Sequence, residues 1–113
     1  MHLSIVEQTE TLTFVSLEGS LDHAAAHEIE ARFLAETAAR KKSVVVDFSG
    51  VDFVGSIGMR LLIAATKPLY REGKKLVLLN PRPEVEKILE HAGMTNVLEI
   101  SHDEAAARAQ ASN

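Results

Sequence analysis

Residues 44–62 read VVVDFSGVDFVGSIGMRLL. Val44-Val45-Val46 is a β-branched run without polar alternation, continued by Asp47-Phe48, and it predicts a central strand buried on both faces. From Ser56 the spacing of apolar residues turns helical and stays so to about residue 72, after which Leu76-Val77-Leu78-Leu79 repeats the buried-strand pattern. Strand, helix and strand in this order form a right-handed crossover between parallel strands, so the core is α/β. Ser49-Gly50 reads as a turn bracketed by Asp47 and Asp52, whose carboxylates fit turn N–H groups better than acid/base or Mg²⁺ chemistry. Gly55-Ser56-Ile57-Gly58 opens the helix, where a hydroxyl and several backbone N–H groups converge at the positive end of a helix dipole. Such a place suits an anion, or a phosphate carried by the serine.

Upstream, residues 3–8 and 12–18 alternate loosely around Thr9-Glu10-Thr11, which predicts two antiparallel strands. After Gly19-Ser20-Leu21-Asp22 the period changes. Ala26, Ile29, Phe33 and Thr37 make one stripe of an amphipathic helix with Asp22 as its N-cap. Downstream, Asn80-Pro81-Arg82-Pro83 is a rigid turn, and Val85, Ile88, Leu89 and Ala92 stripe a third helix ended by Gly93. Val97–Ile100 reads as a short last strand. Ser101 or Asp103 caps an alanine-rich final helix expected to fray from about residue 107 to residue 113. In the helix after Ser56, Ile57, Leu61, Leu62, Ala65 and Leu69 form one apolar stripe and Met59, Ile63, Thr66 and Tyr70 a second, with Pro68 expected to kink the last turn. The second stripe is either covered by a neighbouring helix or left open to a partner.

A length of 113 residues gives one compact domain, residues 1–113, without room for a second domain or a deep substrate chamber. The absence of cysteine excludes disulfides, thiolate metal sites and a cysteine nucleophile, and fits a reducing compartment. No signal-peptide pattern and no apolar run long enough to span a bilayer occur, so a soluble, cytoplasmic protein is expected. The net charge of −4 and the dispersed basic residues argue against direct nucleic-acid binding. The clusters Arg40-Lys41-Lys42 and Lys74-Lys75 fall at helix ends, where cations are favoured. His23 and His27 share a helical face, but Asp22 and Glu30 are weak further ligands, and no metal is expected. The consecutive residues Ser101-His102-Asp103 cannot form a relay, Ser56 lacks the nucleophile-elbow glycine, and no P-loop or dinucleotide fingerprint is present. No catalytic residue or cofactor is therefore assigned.

Three segments together resemble the STAS domain, the fold of bacterial anti-sigma factor antagonists and of the cytoplasmic tails of sulfate transporters. Gly19-Ser20-Leu21-Asp22 is similar to that family's G-x-L-D, Val44–Val51 to its central strand, and Phe53–Leu62 to its F-x-D-S-S/T-G-L-x-x-L-L segment. The resemblance covers essentially the whole chain and implies a single mixed β-sheet of four to five strands with about four α-helices. It further implies a non-enzymatic partner-switching regulator of transcription. The unphosphorylated domain would bind an anti-sigma factor that is also a serine kinase, phosphorylation in the D-S-S/T-G turn would release it, and a phosphatase would restore it. Here Gly55 stands where the family has Asp, and Ile57 where it has the second hydroxyl, which leaves Ser56 as the candidate acceptor or, alternatively, as a helix cap only. Asp22, Gly55, Ser56, Ile57, Met59, Arg60 and Ile63 are the expected partner-binding residues. Two other readings stand beside this one: a STAS subunit of a membrane complex transporting lipid or anions, and a small nucleotide- or phosphate-binding protein.

Overall fold

The computed structural model describes residues 1–112. Five strands form one sheet in the order β1-β2-β3-β4-β5: His2–Gln8, Leu12–Leu21, Ser43–Val54, Leu76–Leu79 and Glu99–Ser101. β1 is antiparallel to β2, and the remaining neighbours are parallel. Helices α1 (His23–Glu36), α2 (Ser56–Arg71) and α3 (Pro83–His91) make the successive crossovers, and α4 (Glu104–Ser112) follows β5. Because the strand order is monotonic and each crossover has the same hand, α1, α2 and α3 fall on one face of the sheet. Ile29, Phe33, Leu62, Leu69, Val85 and Leu89 pack there against Val15, Leu17, Val44, Val46 and Phe48 in the main core. On the reverse face, Leu12, Phe14, Val45, Val77 and Leu79 form a smaller cluster with Ala107 and Ala111 of α4. The mixed five-stranded sheet and four α-helices agree with the expected fold class.

The local elements follow from named residues. Asp22 caps α1, its Oδ1 accepting from the Ala25 N–H at 2.8 Å, and buried Thr37 closes it by donating its hydroxyl to the Phe33 carbonyl at 2.6 Å. Pro83 occupies the first turn of α3, where its missing N–H costs nothing. Gly93, at φ +74°, turns the chain after α3 into a short 3₁₀ segment, Met94–Asn96.

Two expectations are corrected. Ser49-Gly50 is not a turn, because β3 runs unbroken to Val54 with Gly50 opposite Glu18 of β2. Beyond Asp47, the last β3 residue paired with β4, the strand is held by β2 alone. The last strand is Glu99–Ser101 rather than Val97–Ile100, since Val97 lies outside the ladder and is 48% exposed. Pro68, where a kink is expected, lies inside α2, which continues to Arg71. The alanine-rich tail, expected to fray from about residue 107, is helical through Ser112 with Ala107 and Ala111 buried, and residue 113 lies outside the described residues.

Candidate functional site

The long β2–β3 pair extends past β4 and carries the α1 and α2 starts at its tip. Leu21 and Val54 are register partners in the parallel ladder, so Asp22 and Gly55 follow side by side at the carboxyl ends of their strands. The Gly55 N–H donates to the Leu21 carbonyl at 3.0 Å and joins the two exits. Gly58, one turn into α2, is pressed against the same residue. A Cβ there would lie 2.6 Å from Leu21 Cγ and 3.0 Å from its carbonyl oxygen, so only glycine permits this approach of helix to strand. Leu21 is fully buried and has no room to retreat. The position of the α2 N-terminus relative to Asp22 is thereby fixed by backbone contact.

Gly55, extended at φ −99° and ψ 179°, is the N-cap of α2, and Ser56 is the first helical residue. Of the two alternatives for Ser56, the helix cap is not met: no side chain caps this helix. The Ser56 side chain is exposed, and among the described residues its hydroxyl has no hydrogen-bond partner. It begins a solvent-facing ridge continued by Arg60, Ala64, Lys67 and Arg71, all exposed at the i, i+4 and i+3 spacing of one helix face.

The other expected partner residues divide across this ridge. Half-buried Ile57 points toward α1 and, with Arg60, Leu61 and Ala64, lines a groove of about 280 Å³ whose far wall is Ala26, His27 and Glu30. Met59 and Ile63 lie on the other side, half-buried and packed on the main core, so the second stripe is only partly open. Ile63 also borders a second groove, of about 370 Å³, with Thr66, Lys67, Tyr70 and the segment Thr95–Glu99. Burial, reinforced by the charge of Glu99, holds the Tyr70 phenol above its ordinary range. The structure thus gathers Asp22, Gly55, Ser56, Ile57 and Arg60 around the tip of β2 and β3, and sets Met59 and Ile63 across the helix from them.

The expected partner residues did not include Phe53, 44% exposed beside this tip, where its ring lies 3.4 Å from the position of a Cβ on Gly55. Nor did sequence reasoning find the Ser20 hydroxyl donating to Asp52 Oδ1 at 2.5 Å, which ties β2 to β3 just before the site. An aromatic residue two positions before the glycine was the available signal for the first. The second is set by strand register and leaves no local pattern.

Several other polar groups singled out in the sequence have local partners. Asp47 Oδ1 accepts from the N–H and hydroxyl of Ser49 at 3.0 and 2.7 Å. The rings of His23 and His27 lie 4.6 Å apart, and among the described residues no group of three or more metal-ligating side chains forms. Asp103 caps α4 through the Ala106 N–H at 2.9 Å, while His102 turns away to Glu86 Oε1 at 2.7 Å. Among the described residues, no helix is long and apolar enough to cross a membrane.

Comparison with known proteins places this arrangement in a family. BtrV of Bordetella bronchiseptica, named as an anti-sigma factor antagonist, is 25% identical over 104 residues, a span covering 92% of this chain and 90% of BtrV. A Thermotoga maritima crystal structure, also named as an anti-sigma factor antagonist, superposes with a TM-score of 0.83 at 17% identity, covering 99% of this chain and 94% of that one. The phosphorylated form of the Bacillus cell fate determinant SpoIIAA superposes with a TM-score of 0.68 at 22% identity, covering 96% and 99%. The two superpositions show a common fold. The family model described as "STAS domain" matches residues 4–107, nearly the whole chain, and the protein accordingly belongs to the STAS domain family.

Proposed function

We propose that this protein is an anti-sigma factor antagonist: a non-enzymatic, cytoplasmic regulator that binds an anti-sigma factor with serine-kinase activity and is switched by phosphorylation of Ser56. The carrying observation is the Ser56 hydroxyl, exposed and unpartnered among the described residues at the first position of α2. A hydroxyl occupied as a cap would have to leave its backbone partner to react, and here Gly55 takes that position. A phosphate added to Ser56 brings about −1.5 to −2 charges, which the free N–H groups and dipole of the α2 N-terminus accommodate. The same charge would stand at the head of the ridge flanked by Ile57 and Met59, where an apolar or acidic partner surface would be repelled. A phosphatase would reverse the change. Asp22, Gly55, Ile57, Met59, Arg60 and Ile63 would form the docking face around the serine. The naming of BtrV as an antagonist supports the partner class, and a phosphorylated SpoIIAA on the same fold supports the type of switch.

The test is affinity capture from native lysate followed by phosphorylation of the captured pair. The native chain should retain a kinase-fold partner and, with ATP, gain a single phosphate located to Ser56 by mass spectrometry. Ser56→Ala should still bind but take no phosphate, and Ser56→Asp should bind at least about tenfold more weakly. Phosphorylation persisting in Ser56→Ala would move the switch elsewhere. Retention of a membrane transport complex in place of a kinase would favour the transport-subunit reading. A rise in melting temperature with millimolar ATP or GTP alone would favour the nucleotide-binding one.

A further inference from the structure

The reverse face of the sheet carries a feature that partner binding at α2 does not use. β1 follows regular alternation through Leu3 and Ile5, both facing the main core, and in that pattern Glu7 would face the core as well. The register instead shifts between Ile5 and Glu7: Ile5 pairs with Val15, Glu7 pairs with Phe14, and Val6 bulges outward at 56% exposure. The bulge re-aims Glu7 to the reverse face, beside Phe14. There Arg108 of α4 meets both residues. Its Nη1 and Nη2 donate to Glu7 Oε2 and Oε1 at 3.0 and 3.1 Å, its Cζ sits 4.9 Å over the Phe14 ring, and its Nε donates to Glu104 Oε2 at 3.1 Å. The two-pronged geometry matches guanidinium to carboxylate, the strongest form of such a pair.

Apart from this clamp, α4 is held by the Asp103 cap and a small apolar contact. It is nine residues long, shorter than the length at which an isolated helix is stable in water, and among the described residues its buried side chains are the methyl groups of Ala107 and Ala111. At its C-terminal end a gap of about 200 Å³ opens among Ala111, Ser112, Thr11, Ser43, Gly73 and Lys74. We infer that α4 is a latch: a unit that opens independently of the sheet, held closed by the Glu7–Arg108 pair that the Val6 bulge creates, and uncovering Leu12, Phe14, Val45, Val77 and Leu79 when it swings away.

Native-state hydrogen exchange on the full chain tests this, comparing amides of residues 107–112 with those of residues 44–46 and 76–78. In Arg108→Met, which keeps an apolar stem and removes the charge, the α4 amides should exchange at least about tenfold faster while the strand amides keep their rates. Glu7→Gln should do the same, and the double variant should add little to either. Raising NaCl from about 0.05 to about 1 M should speed α4 exchange in the native chain and not in the double variant. Unchanged α4 rates in both single variants would overturn the latch. So would strand amides accelerating by the same factor as those of α4, since the helix would then open only with the whole domain.

Discussion

The two faces of the sheet are covered by opposite means. The face under α1, α2 and α3 is closed by large apolar side chains, among them Phe33, Leu62, Leu69 and Leu89, each fully buried. The reverse face receives two alanines and an arginine. Burying apolar area stabilises by about 0.8 kcal/mol per methyl-sized group, so the first cover is held by solvent exclusion, which salt does not screen, and the second by charge and geometry, which salt does. The candidate regulatory site lies at the end of the strongly held face. Gly58 against Leu21 and the Gly55 N–H on the Leu21 carbonyl place Ser56 on a rigid seat. The proposed phosphorylation of Ser56 would gain from such a seat, because the charge would then appear at a fixed place on the proposed docking face.

The largest effect should come from breaking the strongly held face. Leu62→Ala removes a fully buried side chain between α2 and the sheet and should cost about 3 kcal/mol, read as a lowered urea midpoint with the slope unchanged. The matched change on the other face, Ala111→Gly, should cost only about 1 kcal/mol. Equal losses would erase the contrast. Next in size is Gly58→Ala. Its methyl group would meet Leu21 at 2.6 Å, and the overpacking, about 1–3 kcal/mol, exceeds the helix propensity gained of about 1 kcal/mol. This variant should also weaken partner capture while leaving the Ser56 hydroxyl present. Undiminished stability would mean that α2 can slide on β2, and that the seat is not fixed.

The sequence made the strongly held face legible and the other illegible, for a physical reason. Val44–Val46, Leu76–Leu79, the α1 stripe and the Asp22 cap announce themselves because each is a local pattern of period or capping. Ser49-Gly50 misled because a strand paired on one side by β2 alone tolerates polar and small residues that otherwise signal a turn. The alanines of α4 read as a fraying tail because the groups that hold them, Glu7 and Phe14, lie about a hundred residues earlier and act only after a bulge turns Glu7 over. The site was legible in part. Its turn and its serine were found, but the cap fell one residue earlier than expected, on Gly55, and the groove wall of His27 and Glu30 depends on how α1 packs beside α2. Cap position turns on the backbone of a single residue, and helix packing on contacts distant in sequence.

A smaller change sharpens the comparison from inside the core. Thr13 on β2 is fully buried, and its hydroxyl finds no partner among the described residues. Thr13→Val keeps the shape and removes the unpaired polar group, so it should stabilise the fold by about 1 kcal/mol, measured by the urea midpoint. A loss instead would mean that the hydroxyl is satisfied in solution by a bound water. Either result leaves the α4 side untouched, which makes this variant a control for the exchange measurements on the latch.

The smallest expected effect on global stability, and the most selective, is that of acid. The Arg108 guanidinium, hydrogen-bonded to Glu7, holds the Glu7 carboxyl below its ordinary value of 4.5. A carboxylate depressed on folding contributes stability that is fully present above its unfolded value and is lost as pH falls through the folded one. The sensitive window therefore begins near 4.5 and extends downward, and at neutral pH the pair is intact. Glu104 is the other carboxylate on Arg108, its Oε2 accepting from the guanidinium Nε at 3.1 Å. Lowering the pH from about 6 to about 3 should release α4 before the strands open. At fixed pH the intrinsic exchange rate can be divided out, and the protection of the α4 amides should fall relative to that of residues 44–46. In Glu7→Gln the pH-dependent part of that fall should shrink. If α4 and β3 lost protection in step across the window, acid would be acting on the domain as a whole, and the two faces would not differ in how they are held.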